Sequence, residues 1–262
     1  MSVDFLAGRR AHSAYSAHIL SLLAWSLIWA LFFYSFLNGA DHFADGDFSG
    51  QFHASAIYQG RTLWNDNVAS DGFLWSPVSY AGFPFAADPQ TAVFYPPRWL
   101  TLLLARPWDF SMYALQVEAL LHVWLAGVFT YFLAFALSQR HVAALLAALA
   151  FGLGGYLTSY PIQQLAVLES VIWLPLILLL LRRGVDSTRP VPWLVGAGFG
   201  LALSALAGHP QSFLHVSYMA AAYFLFLTVR ARWSWGWVVK LGGLVMGTAI
   251  GVAAVALLPT LH

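Results

Sequence analysis

Long apolar runs, broken by short polar stretches, dominate the pattern of the chain. A spanning helix needs about 20 mostly apolar residues, and the first such run extends from His18 to Leu37, just after the basic pair Arg9-Arg10. Further runs fall at about 110–137, 142–158, 170–181, 193–208, 212–229 and 238–258. The pattern predicts about seven transmembrane helices, with the short fourth one drawing on its flanking turns. The first run also loosely fits a signal peptide that exits at Gly39-Ala40. It is long for such a segment and more spans follow, so it reads as an uncleaved first helix.

Between the first two helices the pattern changes. Residues 38–109 hold six of the twelve prolines and seven of the eleven acids, interleaved with Trp64, Trp75, Phe83, Phe85, Tyr95 and Trp99. A flexible tether is poor in rings, so this loop is expected to bury them against the helices or the headgroup region. Long loops that stay compact are usually functional. Phe48 to Gly60 reads as a short helix lying on the membrane and Arg98 to Leu104 as a second. Trp75 to Pro97 is too rich in proline and glycine for a helix.

Charge orients the layout. Arg9, Arg10, Arg140, Arg182, Arg183, Arg189, Arg230, Arg232 and Lys240 fall on one side, and Arg61, Arg98 and Arg106 on the other. The asymmetry places the N-terminus in the cytoplasm and the 38–109 loop outside. Composition agrees: 60% of the residues are apolar and 9% charged, against about 25% charged in a soluble domain. Disorder, coiled coils and ordinary cytosolic enzymes are excluded. The absence of cysteine removes disulfides, thiolate metal sites and Cys nucleophiles. The fold class is an all-α polytopic membrane protein, with 1–262 forming a single transmembrane domain.

Chemistry gathers around the loop. Asp41, Asp45 and Asp47 lie within seven residues directly after the first helix. Such carboxylates can hold a divalent cation or act as a general base, and a solvated acidic turn has the same spacing. The later ligands of an EF-hand are missing. Glu118 and His122, four residues apart, share a helix face within the bilayer. They read either as the polar wall of a substrate cavity or as a pair that locks helix packing. Glu169 opens the fourth helix, where it favours the helix dipole. His209 and Gln211 form an external turn and are candidate donors to an anionic group; His215 reads as an interhelical hydrogen bond. Gly152-Leu153-Gly154-Gly155 and Gly196-Ala197-Gly198-Phe199-Gly200 lack the preceding strand of a nucleotide loop. They read as packing positions, as do Gly243, Gly247 and Gly251. No nucleic-acid partner is expected.

One ordered set of motifs goes further. It begins with Gly46-Asp47-Phe48-Ser49-Gly50-Gln51, Leu63-Trp64-Asn65, Gly82-Phe83-Pro84-Phe85-Ala86-Ala87-Asp88-Pro89-Gln90 and Phe94-Tyr95-Pro96-Pro97. It continues through Phe151 to Tyr156, Trp173-Leu174-Pro175, Gly208-His209-Pro210-Gln211 and Leu258-Pro259-Thr260. The set resembles the YfhO-like bacterial membrane proteins of the GT-C superfamily of integral membrane glycosyltransferases. The resemblance implies transfer of a sugar from a polyprenyl-phosphate donor to a glycan, lipid or protein acceptor, on the outer face of the bacterial inner membrane. By position it assigns the catalytic acid to Asp47, with Asp45 and Asp41 as substitutes, and permits a divalent cation at that cluster. Gln51, Asp88, Gln90, Tyr95, Arg98, Glu169, His209 and Gln211 become candidate substrate contacts, with Trp75 and Tyr95 available to stack on sugar and Arg61 a weaker basic contact. Members of that family are longer, so the chain reads as an N-terminal portion. The rival readings are a lipid or polysaccharide transporter and a non-catalytic envelope assembly subunit.

Overall fold

A computed structural model describes residues 2–43, 46–64, 74–77, 79, 81–108 and 110–258. Asp45, Asn65, Pro259 and Thr260, all named above, lie outside the described residues, as do three further acids of the loop, Asp66, Asp71 and Asp109.

Among the described residues every named element is helical, and strand-like pairing is confined to a bridge between Ser76 and Phe83. The loop contains a π-helical turn, Phe48–His53, that runs into α3, Ala54–Trp64, and a later helix α4, Pro96–Ala105. Both expected loop helices are therefore present. The proline-rich stretch between them forms only 3-10 turns at Phe85–Ala87 and Pro89–Thr91.

Around the loop stand α1 (Ser2–Phe32), the short α2 (Tyr34–Leu37), α5 (Met112–Ser138) and α6 (His141–Gly152). The single-turn pieces α7 (Gly155–Thr158) and α8 (Tyr160–Gln163) follow, then α9 (Leu165–Val171) and α10 (Leu174–Asp186). The chain ends with α11 (Pro190–Leu206), α12 (Pro210–Arg230) and α13 (Trp235–Leu257). Proline opens α4, α10, α11 and α12, where its missing N–H costs nothing.

Among the described residues six stretches are long and apolar enough to cross a membrane: Tyr15–Phe32, Met112–Ser138, His141–Thr158, Leu165–Asp186, Pro210–Arg230 and Trp235–Ala256. The chain is an all-α polytopic membrane protein by that measure. Pro190–Leu206 is apolar but has only 17 residues, about 26 Å at about 1.5 Å per residue, against a hydrocarbon core of about 30 Å. The fourth run starts earlier than expected, at Leu165, and bends at Ile172–Trp173, where Pro175 cannot donate into the preceding turn.

Indole groups fasten α1 to α5. Trp25 is fully buried, and its Nε1–H donates to the Trp124 carbonyl at 3.0 Å; Trp29 donates to the Leu120 carbonyl at 3.1 Å. The Trp25 ring lies in a slot floored by Gly127 and Gly152, where any Cβ would strike it. Gly152 is thus a packing glycine, and so are Gly198, against the Val245 carbonyl, and Gly200, against Ile177. Gly243, Gly247 and Gly251 behave otherwise. A Cβ at each would meet nothing within 4 Å, so their repeat serves no helix contact among the described residues.

The connections alternate between the two ends of the bundle. The loop, α3, α4 and the α11–α12 turn share one end. Arg140, Arg182, Arg183, Arg189 and Arg230 mark the other, at the far termini of α5, α6, α10, α11 and α12.

Candidate functional site

Gln116 fixes where the loop leaves the bundle. Its amide oxygen accepts from Phe43 N–H at 3.0 Å, and its amide nitrogen donates to the carbonyls of Phe36 (2.9 Å) and Asp41 (3.2 Å). Phe43 and Phe48 are buried and meet edge to face at 4.9 Å between ring centroids. Asp41, two residues before Phe43, and Asp47, directly before Phe48, are both exposed.

Asp47 lines a cavity of about 660 Å³. Its polar lining includes Asp88, Gln51, Ser55, Tyr58 and Thr91, with Phe83 and Phe85 as apolar wall. The Asp47 carboxylate accepts a hydrogen bond from the Gln164 side chain, which the break between α8 and α9 carries to this end. Gln51 donates to the Gln90 amide oxygen at 2.6 Å. Asp88 caps the turn that holds Gln90, accepting from its N–H at 2.9 Å. Tyr58 lines the same cavity and donates to the Trp75 carbonyl at 2.7 Å. Four sequence candidates, Asp47, Gln51, Asp88 and Gln90, are therefore brought together. Gln164, Ser55 and Tyr58 were missed; an amide placed where a helix breaks was the signal available for Gln164.

The His209–Gln211 turn abuts this assembly from behind. Gly208 adopts φ +89, and a Cβ there would collide with the Pro89 carbonyl. Substituting alanine at Gly208 is therefore expected to cost about 1–3 kcal/mol and to push the Gln90 turn off Gln51. A thermal midpoint measured beside the transfer assay described below checks both effects.

His209 itself caps α12. Its Nδ1 accepts from Ser212 N–H at 3.1 Å and faces the Ser212 hydroxyl at 2.7 Å. Partial burial, and then the neighbouring His215, hold its pKa below the ordinary 6.5. A lone pair is needed for the cap, so the folded state favours the neutral ring. This contribution is intact above about pH 6.5 and is lost as the pH falls through the lowered folded value. His209→Asn, which caps without titrating, is expected to show a flatter thermal midpoint between neutral and mildly acidic pH.

A second polar group lies inside the bundle, and it takes Tyr95, Arg98 and Glu169 away from the Asp47 cavity. Arg98, on α4, is 1% exposed. Its Nε donates to Glu118 Oε1 at 2.9 Å and its Nη2 to Glu169 Oε1 at 3.4 Å. Burial disfavours the guanidinium charge, but the two carboxylates outweigh it and raise the Arg98 pKa. His122 Nδ1 faces the Glu118 carbonyl at 2.7 Å and must donate to it. Its Nε2 then accepts from the Tyr95 hydroxyl at 2.8 Å, and that oxygen accepts from Trp173 Nε1–H at 3.1 Å. Burial, and then the Glu169 charge, push the Tyr95 phenol well above its ordinary range, so it remains a donor.

Glu118 also lines a mainly apolar recess of about 610 Å³ with Thr101, Leu104, Val117 and Leu121, whereas the expected direct Glu118–His122 pair is replaced by contacts to Arg98 and Tyr95. The two side chains share a face but do not pair; each is claimed by a residue of the loop. Tyr95 is fully buried and has no face left to stack on a sugar. Glu169 and His209 are not part of the lining of the Asp47 cavity.

No group of three or more His, Asp or Glu side chains among the described residues is arranged to hold a metal ion; Asp45 lies outside them. Comparison of the chain with protein-family models, with curated proteins and with solved structures finds no match.

Proposed function

We propose that the chain is a membrane glycosyltransferase of GT-C type, similar to the YfhO-like proteins. It would move a sugar from a polyprenyl-phosphate donor to a cell-envelope acceptor on the outer face of the bacterial inner membrane. The observation that carries this reading is the carboxylate-bearing cavity at the mouth of an apolar bundle. About 660 Å³ lies within the range of small-molecule sites, about 300–1,000 Å³, and its neutral hydrogen-bonding groups match sugar hydroxyls. The basic residues gathered at the other end favour a cytoplasmic N-terminus and an outward-facing loop. In this reading Pro190–Leu206 also crosses, fifth in chain order, and brings the number of crossings to seven.

Asp47 takes the proton of the acceptor hydroxyl. The acceptor oxygen forms a bond to the anomeric carbon as the bond from that carbon to the phosphate oxygen breaks. The electron pair leaves with polyprenyl phosphate. Gln164 holds the Asp47 carboxylate in place, and Gln51, paired with Gln90, shapes the sugar pocket. His209 and Gln211, on the turn behind, are nearest in sequence role to the leaving phosphate.

The test is turnover by the full chain in vesicles supplied with a polyprenyl-phosphate hexose and a membrane extract as acceptor. Acceptor-dependent release of polyprenyl phosphate is expected. Movement of the donor between leaflets without sugar transfer would replace this reading with that of a flippase.

A further inference from the structure

The end of the bundle opposite Asp47 carries a recess of about 180 Å³ between the last turns of α5 and α10, lined by Ala136, Gln139, Arg182, Arg183 and Asp186. We propose that this recess binds the phosphate of an anionic phospholipid headgroup. The proposal goes beyond the transferase reading and does not depend on it.

Position comes first. Both walls are the ends of stretches long and apolar enough to cross a membrane, Met112–Ser138 and Leu165–Asp186, so the recess opens where headgroups lie. Charge comes next. Arg182 is half-buried and Arg183 exposed, and basic recesses between spans are favourable sites for anionic headgroups. Arg182 Nε lies 3.7 Å from Asp186 Oδ2, longer than a charge-assisted hydrogen bond of about 2.7–2.9 Å. The pair is loose, and the guanidinium fork stays free to grip a phosphate in bidentate fashion.

The helix end is the third part. The last carbonyls of a helix carry partial negative charge and repel an anion. Here Gln139 adopts a left-handed backbone conformation, φ 56, and folds its side-chain amide back. That amide nitrogen donates to the carbonyls of Phe135 (3.2 Å) and Ala136 (3.3 Å). The end of α5 is thus screened where it forms the wall of the recess. Asp186 is the opposing group, and with two arginines against one carboxylate the lining keeps a net positive charge.

The experiment uses the full chain in phosphatidylcholine discs doped with phosphatidylglycerol, with the anionic lipid retained after purification counted by native mass spectrometry. A basic side chain close to the bound headgroup is worth about fivefold in affinity, an effect that fades within a Debye length of about 10 Å. The double variant Arg182→Gln/Arg183→Gln is expected to lose phosphatidylglycerol enrichment by more than tenfold, and Asp186→Asn to increase it. Arg189→Gln/Arg230→Gln removes the same charge from the same end outside the recess, and should change enrichment less than twofold. Arg183→Gln alone, at an exposed position, should still lose about fivefold if the double variant does not fold. Equal losses in the two double variants would overturn the proposal, as would retention by Arg182→Gln/Arg183→Gln. Displacement of the lipid by millimolar inorganic phosphate would also overturn it, making the recess a soluble-anion site.

Discussion

Arg98→Met is expected to destabilise the folded protein by about 3–5 kcal/mol. The reason lies in what Arg98 leaves behind. Glu118 and Glu169 are 3% and 0% exposed, and their Oε2 atoms have no hydrogen-bond partner even with Arg98 in place. Removing the guanidinium leaves two buried acid side chains with no positive charge between them. Arg98→Lys should recover only part of the loss, because one ammonium cannot reproduce the two-sided fork that reaches Glu118 at 2.9 Å and Glu169 at 3.4 Å. Removing the whole set is the informative contrast. The triple variant Arg98→Met/Glu118→Gln/Glu169→Gln should be markedly more stable than Arg98→Met alone, since uncompensated charge, not lost contact, is the main penalty. Thermal midpoints in detergent, read by size-exclusion chromatography, rank the four proteins.

The second large effect belongs to catalysis. Asp47→Asn keeps the size and polarity of the side chain and its contact with Gln164, but cannot take a proton at neutral pH. Sugar transfer should fall about 10²–10⁴-fold, with the thermal midpoint unchanged. Asp41, exposed and beyond the lining of the cavity, provides the control: Asp41→Asn should lose less than threefold. Asp88→Asn separates two roles of one residue, because asparagine still caps the Pro89–Thr91 turn. Any loss of transfer there reads the carboxylate in the cavity. Loss in Asp41→Asn equal to that in Asp47→Asn would remove Asp47 as the specific base.

The spans were legible because a helix that faces lipid must be apolar along its whole length, and neither a strand nor a loop can satisfy its backbone there. The two loop helices were legible from where proline was absent. Charge segregation was legible too, because it is set by side, not by contact. What stayed hidden was which polar group meets which. Glu118 and His122 share a helix face, yet each meets a residue some 20 or more positions upstream, Arg98 and Tyr95. Sequence spacing describes one helix, whereas partners are chosen by how α4 docks on α5. Gln164 was hidden for a related reason. It reaches Asp47 only because the helix breaks before Leu165, and an amide between two apolar runs marks the break without naming the side chain it meets. The glycines divide the same way. Gly152 and Gly243 look alike in sequence, and only the position of the Trp25 ring separates a packing glycine from one facing open space.

The central claim is an outward-facing cavity that takes a lipid-linked sugar, and the absence of cysteine from the chain allows a direct test. Gly50 is exposed, lines the cavity, and has nothing within 4 Å of where its Cβ would stand, so Gly50→Cys introduces one reporter without strain. A membrane-impermeant maleimide added to intact spheroplasts should label it from the outer face. A polyprenyl-phosphate hexose should slow that labelling several-fold, and free polyprenol should not. Labelling that requires access from the cytoplasmic face, or a rate indifferent to the sugar donor, would contradict the account.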